Sequence, residues 1–501
     1  MTRYSSLRSD ERGIAMVVAL FMVLILSVLA SSLMFVSRTE TLSSLNYKTM
    51  SQARYGAESG VHDAINHLLW TYTPPGGVAD PIAGVYDTTK SPVEYNGAPV
   101  VLSSDTSYAP NYPPVGTVQA AFSGATQGFL GVSVGSVNYS ARATLLTMKT
   151  IPDPFIPGQS ITLQRWLVTG NSRIRGAGSA QVEVSAIIEK PPVPVYRYAA
   201  FATDTGCDAL SFGGGAHTDS FDSSLYGGSG VPALSTDNGN VGTNGNLTEI
   251  GNTTIINGTL STPRTGVGNC TSGNVSALTS SGGATVAGGL VQLPQTVTFP
   301  DPPPPSPMPG TTNVILNNAC PSGTAAFCSV DAAGVHLDPS LVGGTIVMDN
   351  LTVAGGTNLI LKPGIYNVNS IGFTGNSTMT LDTSGGATLP VIFNVQGAST
   401  TTPIDFTGGS ISNPTYDPTK FQILYAGDKA IKLTGGAAAA ALVYAPRSSA
   451  SFSGGGGFFG AVVSGKITDM GGSTIHYDRN LDKKALMAGP PTMSEFTWKS
   501  F

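Results

Sequence analysis

The N-terminal part of the chain contains a long run of residues without a charge, from Ile14 to Val36, and nearly all of them are apolar. As an α-helix with a rise of about 1.5 Å per residue, this run reaches about 35 Å, enough to cross a hydrocarbon core of about 30 Å. A helix that is apolar on every side needs a buried or membrane environment. We therefore predict a membrane-spanning helix.

The charges before this run predict its orientation. Arg3, Arg8 and Arg12 outnumber Asp10 and Glu11. Because basic flanks stay in the cytoplasm, we expect a single-pass inner-membrane protein whose C-terminal domain is periplasmic. The alternative is a cleaved secretory signal, which we disfavour because the run is too long and no small-residue cleavage site closes it.

The helical pattern continues beyond the apolar run. Apolar residues recur there at three- and four-residue spacing and form one stripe: Leu42, Leu45, Met50, Ala53, Ala57, Val61, Ala64, Ile65 and Leu68. The sequence Pro74-Pro75-Gly76-Gly77 ends the helix. We predict a stem over residues 14–72, with an amphipathic second half.

Two segments of this stem resemble PilX-type minor pilins of type IV pili. They are Glu11–Leu20 and Gln52–Ala64, the latter with the sequence Gln-Ala-Arg-Tyr-Gly-Ala-Glu-Ser-Gly-Val-His-Asp-Ala. The resemblance implies that residues 1–13 are a cytoplasmic leader, which a prepilin peptidase removes after Gly13 to make Ile14 the new N-terminus. It also implies contacts with other pilins through the stem and with the inner-membrane pilus assembly machinery.

One position departs from the pattern of the major pilins. The fifth residue after the expected cut is Val18, where major pilins carry a glutamate. In that family the carboxylate pairs with the terminal amine of a neighbouring subunit, and a buried charge needs such a partner. Valine needs none, which favours a minor, priming or tip subunit, or an uncleaved membrane protein.

The composition after the stem favours β-structure. Gly 62 and Pro 34 are abundant and only 11% of the residues are charged, which argues against a helical bundle, a coiled coil and a nucleotide-driven α/β enzyme. Lys+Arg 25 against Asp+Glu 30, without a basic block, argues against nucleic acid as a partner. We predict an α+β fold.

Residues 73–196 are predicted to form a small β-sheet on the amphipathic half of the stem, as in a pilin head. Pro191–Pro194 marks the expected boundary of this region. Its clearest strand patterns are Val137–Ile151, Ile161–Val168 and Gln181–Ile188.

Residues 197–501 show a loose repeat of apolar, variable, apolar, small and glycine residues. The copies begin at Ala284, Leu351, Ile371, Ile404, Ile431 and Ala450. Short inward-facing strands with a turn glycine suit an irregular, right-handed β-solenoid. The alternative is a jelly roll or sandwich with glycine-rich hairpins. The stretch Phe458–Asp478 resembles the last turns of a solenoid domain found behind PilX-type stems, and we expect Phe496 and Trp498 to cap that end.

The four cysteines form no Cys-X-X-Cys motif, so zinc binding is disfavoured. In an oxidising periplasm disulfides persist. Because Cys320 and Cys328 enclose a short loop, we pair them, and Cys207 with Cys270 follows by elimination. Four cysteines allow three connectivities, and the sequence leaves the other two open.

The sequence offers little catalytic chemistry. Walker, Gly-X-Ser-X-Gly and His-Glu-X-X-His motifs are absent from it, and the five histidines (His62, His67, His217, His336 and His476) are scattered. Four aspartates (Asp204, Asp208, Asp219 and Asp222) surround Cys207 and are a candidate Ca²⁺ site, although solvated turn aspartates are the favoured interpretation. We expect no enzyme activity, no cofactor and no metal.

These observations favour a structural subunit of a type IV pilus. We expect a low-copy priming or tip subunit that displays its solenoid for contact with a surface, a cell or a glycan, on the pilus or the cell surface. Two alternatives stay open: an inner-membrane-anchored solenoid that binds or processes polysaccharide, and a minor pseudopilin of type II secretion.

Overall fold

A computed structural model describes residues 11–131, 136–175, 180–384, 389–436 and 438–500. Its helices are α1 (Glu11–Trp70), α2 (Val118–Ala125) and α3 (Leu481–Lys484). The predicted stem helix is therefore present as one continuous helix. A largely β body follows it, which confirms the α+β class.

The chain divides into two compact units. The first comprises Met1–Ile151, Ser160–Pro192 and Ala488–Phe501, and the second comprises Pro152–Gln159 and Val193–Met487. The second unit is thus an insertion in the sequence of the first. The limits of the leader, stem, head and solenoid regions that the sequence suggested stay predictions.

The first unit is built on an antiparallel sheet against which α1 packs. Strands are numbered along the chain, and the order in this sheet is β3–β5–β6–β7–β37, with β4 paired to β5. The strands of this unit are β1 (Glu94–Tyr95), β2 (Ala98–Pro99), β3 (Val101–Ser103), β4 (Gly128–Gly131), β5 (Ser136–Pro152), β6 (Ser160–Arg175), β7 (Ala180–Glu189) and β37 (Thr492–Ser500). The three long strands β5, β6 and β7 include the three segments predicted from their alternation.

The end of the described chain corrects one expectation. Phe496 and Trp498 do not cap the repeats, because they lie on β37, which pairs antiparallel with β7 in the first unit. Trp498 is paired with Val184. The alternating apolar pattern of such a strand is local, but its partner is about 300 residues away, so the sequence offered no sign of it.

The second unit consists of three ladders of short parallel strands, and each turn of the chain adds one strand to each ladder. The first ladder contains β10 (Leu210–Phe212), β13 (Leu247–Ile250), β16 (Leu278–Ser281), β19 (Val314–Leu316), β23 (Asn350–Val353), β26 (Ser370–Phe373), β29 (Ile404–Asp405) and β32 (Ile431–Thr434).

The second ladder contains β9 (Ala200–Ala202), β12 (Val241–Thr243), β15 (Leu260–Thr262), β18 (Leu290–Gln292), β22 (Thr345–Val347), β25 (Gly364–Val368), β28 (Val391–Val395) and β31 (Phe421–Tyr425). The third contains β11 (His217–Phe221), β14 (Ile255–Ile256), β17 (Thr285–Val286), β20 (Cys328–Val330), β21 (Val335–Leu337), β24 (Asn358–Leu361), β27 (Ser377–Leu381), β30 (Gly409–Ser412) and β35 (Thr474–Asp478).

Two longer strands, β33 (Ala439–Ser453) and β34 (Gly457–Asp469), take part in more than one ladder. The short strands β8 (Pro192–Pro194) and β36 (Leu486–Ala488) fall at the limits of the units. Pairing in the ladders is parallel except between β20 and β21, which form an antiparallel hairpin. This predominantly parallel pairing excludes the alternative of a jelly roll or sandwich built from antiparallel hairpins. The right-handed sense of the solenoid stays a prediction.

The repeat read from the sequence follows the register of the first ladder. Leu351 pairs with Ile371, which pairs with Ile404, then Ile431, then Ala450. All five side chains are buried. The spacing of the repeat therefore identified true turns of the solenoid.

The copy at Ala284 is an exception. Thr285 lies on the third ladder, where it pairs with Ile255, and Leu278 is the residue of that turn in the first ladder. A short apolar pattern with two glycines is thus not specific for one ladder.

The turns are not stacked in sequence order. Leu210 pairs with Ile467 on one side and with Leu247 on the other. The turns from β9 to β18 therefore stack outwards from the last turns, β34 and β35. The later turns begin with β19 and β22 at the other end of the stack. Successive turns then approach the first turn, until β34 pairs with β10.

The proline-rich segment makes this order possible. Residues 293–313 run back across the turns: Asn244 Nδ2 donates to the Val297 carbonyl at 2.8 Å, Tyr444 Oη to the Pro300 carbonyl at 2.6 Å, and Asn367 Nδ2 to the Pro307 carbonyl at 2.7 Å. A proline-rich chain is extended and needs few backbone donors, which suits a long connection along the outside of the ladders.

Candidate functional site

The first half of α1 is apolar and exposed on every side. Residues from Gly13 to Leu42 are exposed, and α1 is long and apolar enough to cross a membrane by length and composition. Large apolar side chains do not remain in water over such a length. This half of the helix therefore requires a membrane or the apolar surfaces of other helices.

The expected processing residues lie at the start of this surface. Gly13 and Ile14 are both helical and exposed, and a side chain added at Gly13 would meet no other atom within 4 Å. Val18 lies on the next turn with 52% of its surface exposed. The leader arginines Arg3 and Arg8 lie outside the described residues.

The second half of α1 is held by the sheet of the first unit. Its buried stripe consists of Ala53, Ala57, Val61, Ala64 and Leu68, which are at most 8% exposed. Their spacing of three and four residues places them on one face of the helix. These five belong to the nine-residue stripe predicted from the sequence, whereas Leu42 at its start is 60% exposed.

Glycines allow this face of α1 to approach β6 so closely that the two backbones are nearly in contact. A Cβ on Gly170 of β6 would overlap the carbonyl oxygen of Ala57, and one on Gly56 of α1 would lie 2.5 Å from a methyl group of Val137. The Ser172 hydroxyl on the same strand donates to the Ala53 carbonyl at 2.5 Å. Small residues on both surfaces are therefore required for the helix to lie on the sheet.

The polar residues of Gln52–Ala64 surround this contact. Arg54 and Glu58 form an ion pair of 2.8 Å one helical turn apart, and Tyr139 Oη on β5 donates to Asp63 at 2.9 Å. The guanidinium of Arg54 also lies 5.7 Å from the ring centre of Trp498 on β37. The segment Gln52–Ala64 therefore contacts two separate strands of the sheet, β5 and β37.

The structure contains two disulfides, Cys207–Cys270 and Cys320–Cys328. These are the pairs that the sequence analysis favoured. They enclose loops with sequence separations of 63 and 8 residues, and by loop entropy alone such closures stabilise a fold by roughly 4 and 2.5 kcal/mol.

The four aspartates near Cys207 serve separate local roles. Asp204 accepts from the Gly206 amide, Asp208 from the Thr248 hydroxyl, Asp222 from the Ser224 amide, and Asp219 contacts His476 Nδ1. Within the described part of the chain, three or more His, Cys, Asp or Glu side chains do not come together in a metal-binding group. The structure therefore does not support the Ca²⁺ site considered for these aspartates.

Among the buried acids of the second unit that sequence reasoning missed are Glu249 and Asp469. Glu249 and Asp469 flank Phe212 in register on the first ladder. Glu249 is 1% exposed, and neither of its carboxylate oxygens has a hydrogen-bond partner among the described residues. The signal was present but weak: Glu249 is two residues after Leu247, so it shares the inward face of its strand.

Burial changes the acidity of both groups. It raises the pKa of Glu249 to about 7, an effect that the nearby Ser280 hydroxyl offsets only in part. Burial also raises the pKa of Asp469 to about 6. Hydrogen bonds from the backbone of Ser473 and Gly471 act in the opposite direction and lower that pKa only in part. Ionisation of either group in this apolar column is therefore unfavourable.

The comparisons with known proteins match two parts of the chain. Residues 12–62 match the family model described as PilX N-terminal, which covers the exposed half of α1 and most of its sheet-bound half. The N-terminal segment of the chain is thus similar to that of PilX-type proteins. Residues 369–484, in the second unit, match a domain of unknown function, DUF7305.

No curated protein matches the chain. Among solved structures, the competence-associated pilin ComZ from Thermus thermophilus aligns with 13% identity over 90% of this chain and 98% of that chain, with a TM-score of 0.25. A TM-score this low does not show a shared fold. The PilX-type assignment therefore rests on α1, where the apolar run and the small-residue face coincide with the matched segment.

The contact of the PilX-type helix with β6 can be tested by adding one methyl group. Gly170→Ala should lower the free energy of unfolding of the first unit by about 1–3 kcal/mol, because the added carbon overlaps the Ala57 carbonyl. Urea unfolding of the full chain in detergent, followed by tryptophan fluorescence, measures this. All three tryptophans, Trp70, Trp166 and Trp498, are in the first unit.

The matched control is Gly124→Ala in α2, where an added Cβ meets nothing within 4 Å. That variant should be as stable as the parent or slightly more stable, since alanine is the better helix former. Equal stability of Gly170→Ala and the parent would contradict the close packing of the helix on the sheet.

The buried acid predicts a pH dependence. A carboxyl whose pKa is raised on folding contributes stability that is full below its unfolded pKa of about 4.3 and is lost as pH rises through the folded value. With the pKa of Glu249 at about 7, the second unit should lose up to roughly 3 kcal/mol between pH 5 and pH 8 through this group. Glu249→Gln should remove most of that loss.

The measurement is urea unfolding followed by far-ultraviolet circular dichroism at pH 5 and pH 8. Asp428→Asn is the control, because the Asp428 side chain is 77% exposed and should leave the dependence unchanged. An unaltered pH dependence in Glu249→Gln would refute the assignment.

Proposed function

We propose that this protein is a low-copy subunit of a type IV pilus, placed at the priming complex or tip, and that its second unit makes contact with a surface or another cell. The observation that carries the proposal is α1, with one half apolar and exposed and the other half fixed to a β-sheet. An exposed apolar helix of this length has two suitable environments, a lipid bilayer before assembly and the packed helices of a filament afterwards. Other pilins are therefore its partners.

The low copy number follows from the side chain at position 18. Val18 supplies no carboxylate for the terminal amine of a subunit ahead of it in the filament. A subunit at the end of a filament has no neighbour ahead of it and does not need that carboxylate. The second unit also adds about 300 residues to the head, which makes repeated side-by-side packing along a shaft sterically difficult.

The proposal includes membrane insertion and processing. The N-terminus is cytoplasmic, α1 crosses the inner membrane, and both β units are exported. A prepilin peptidase removes residues 1–13 after Gly13, and the pilus assembly machinery then extracts the subunit that begins at Ile14. The role is structural rather than enzymatic, in keeping with the separate local contacts of the four aspartates near Cys207.

The placement is tested by immunogold labelling of sheared pili with antibodies against the second unit. We expect label at filament ends. Dense labelling along the shaft would refute the terminal position, and labelling restricted to the cell envelope would favour an inner-membrane-anchored solenoid. Labelling of a secretion complex instead of pili would favour a minor pseudopilin.

Two matched variants test the role of Val18 in this placement. Val18→Glu should increase the number of copies along the shaft, because it restores the carboxylate, whereas Val18→Gln adds similar bulk without charge and should not. Counting gold particles per filament length gives the result, and equal counts for the two variants would show that charge does not determine position.

Processing is tested by intact mass. Gly13→Arg should block cleavage and leave a precursor heavier by the 13 leader residues, because it places a large charged side chain directly before the expected cut. Gly77→Arg is the control, since that glycine lies outside α1 and an added Cβ there meets nothing within 4 Å. Equal masses with and without a prepilin peptidase would mean that the chain remains an uncleaved anchor.

A further inference from the structure

An open groove lies on the second unit, across the turns that carry β9, β12, β15 and β18. It encloses about 460 Å³, within the usual range for ligand sites. Its walls come from five separate stretches of the chain. The residues on which the argument depends are Arg197, Tyr198, Asn240, Ser261, Arg479 and Asp482.

Part of the groove lining, Ser261 and Val291, follows the register of the second ladder. Phe201, Gly242, Ser261 and Val291 are paired in one row across four turns. With strands about 4.8 Å apart, this row is about 14 Å long. It therefore offers a linear surface rather than a single closed pocket.

Gly242 lets two aromatic rings lie close to this strand, of which only Tyr198 lines the groove, since Phe201 is 1% exposed. A Cβ at Gly242 would lie 2.5 Å from the ring of Phe201 and 3.2 Å from the ring of Tyr198. Without that carbon, both rings approach the strand. Tyr198 is only half-buried and presents an apolar surface within the groove.

The two guanidinium groups of the lining are not paired with carboxylates of the fold. Neither Arg197 nor Arg479 forms an ion pair with any residue that the structure describes. Nε of Arg479 is buried and has no hydrogen-bond partner there. The Asn240 side-chain oxygen accepts from both the amide and the hydroxyl of Thr259, which directs its NH₂ group away from that contact.

Carboxylates near the groove do not neutralise it. Asp222 and Asp237 have pKa values lowered mainly by hydrogen bonds from Ser224 and Ser235, with a smaller contribution from the charge of Arg479. Both lie beyond ion-pair distance of that guanidinium. Two guanidinium groups therefore face one carboxylate, that of Asp482, in the lining itself.

We propose that this groove binds an acidic saccharide, a linear sugar chain that carries carboxylates. Amide, hydroxyl and carboxylate groups match the donors and acceptors of sugar hydroxyls, the tyrosine ring matches the C–H face of a pyranose, and a guanidinium binds a carboxylate in a bidentate way. The inference deepens the proposed contact function and rests on it for its biological role, but the binding itself is measured independently.

The test is isothermal titration of the purified full chain in detergent. The probe is hexagalacturonate, and the matched ligand is the same hexamer with every carboxylate methyl-esterified. We expect saturable binding of the acidic hexamer and at least tenfold weaker binding of the ester, because only the first can pair with the guanidinium groups.

Variants link the binding to the groove. Arg197→Gln should weaken binding about tenfold and should not affect folding, since Arg197 is exposed and has no ion pair; Arg479→Gln should do the same. Lys429→Gln, an exposed residue outside the groove lining, should leave binding unchanged. Circular dichroism of each variant separates loss of binding from loss of structure.

Several results would overturn the proposal: no saturable binding of the acidic hexamer, equal affinity for the ester, or binding that survives both arginine variants. Displacement of the hexamer by an equal concentration of inorganic phosphate would identify a simple anion site instead. Filament labelling is independent of these titrations, so failure of the saccharide site and failure of the pilus role can be distinguished.

Discussion

The close contact between α1 and β6 is the constraint on which the first unit depends. The helix lies on the sheet with glycine at Gly56 and Gly170 and a serine hydroxyl at Ser172, so the two backbones are nearly in contact. Few side chains fit at such a distance, and the contact therefore determines where the second half of the helix runs. The first half continues along the same axis without any covering surface, and that exposed length is what makes a membrane or filament role necessary.

The second unit achieves stability by a different means. Its core is a set of stacked columns in which each turn places apolar residues above those of the turn before, such as Tyr366, Phe393 and Ile423. Because most strands are short and the turns are rich in glycine, asparagine and serine, few charged side chains are needed. The low charge content of the chain is thus a consequence of this architecture, and it makes the buried carboxyls of Glu249 and Asp469 stand out as local exceptions.

Most of the second unit is inserted in the sequence of the first between β7 and β37, and this has a consequence for folding. Strand β37 completes the first sheet only after the whole of the second unit has been synthesised. Likewise β10 acquires one of its neighbours, β34, about 250 residues later. Contacts of such sequence separation carry a large loop-closure entropy, and the two disulfides reduce that entropy within the second unit.

Local chemistry was sufficient to predict the helix, its apolar and amphipathic halves, the long strands of the head and five successive turns of the first ladder. These features depend on the spacing of apolar residues over a few positions, and that spacing is visible in the sequence. The stacking order of the turns, the return of β37 to the first sheet and the groove beside Arg197 and Arg479 were decided by tertiary structure. Each joins segments more than 200 residues apart, and no local pattern distinguishes the strand that will become a neighbour from the many similar strands that will not.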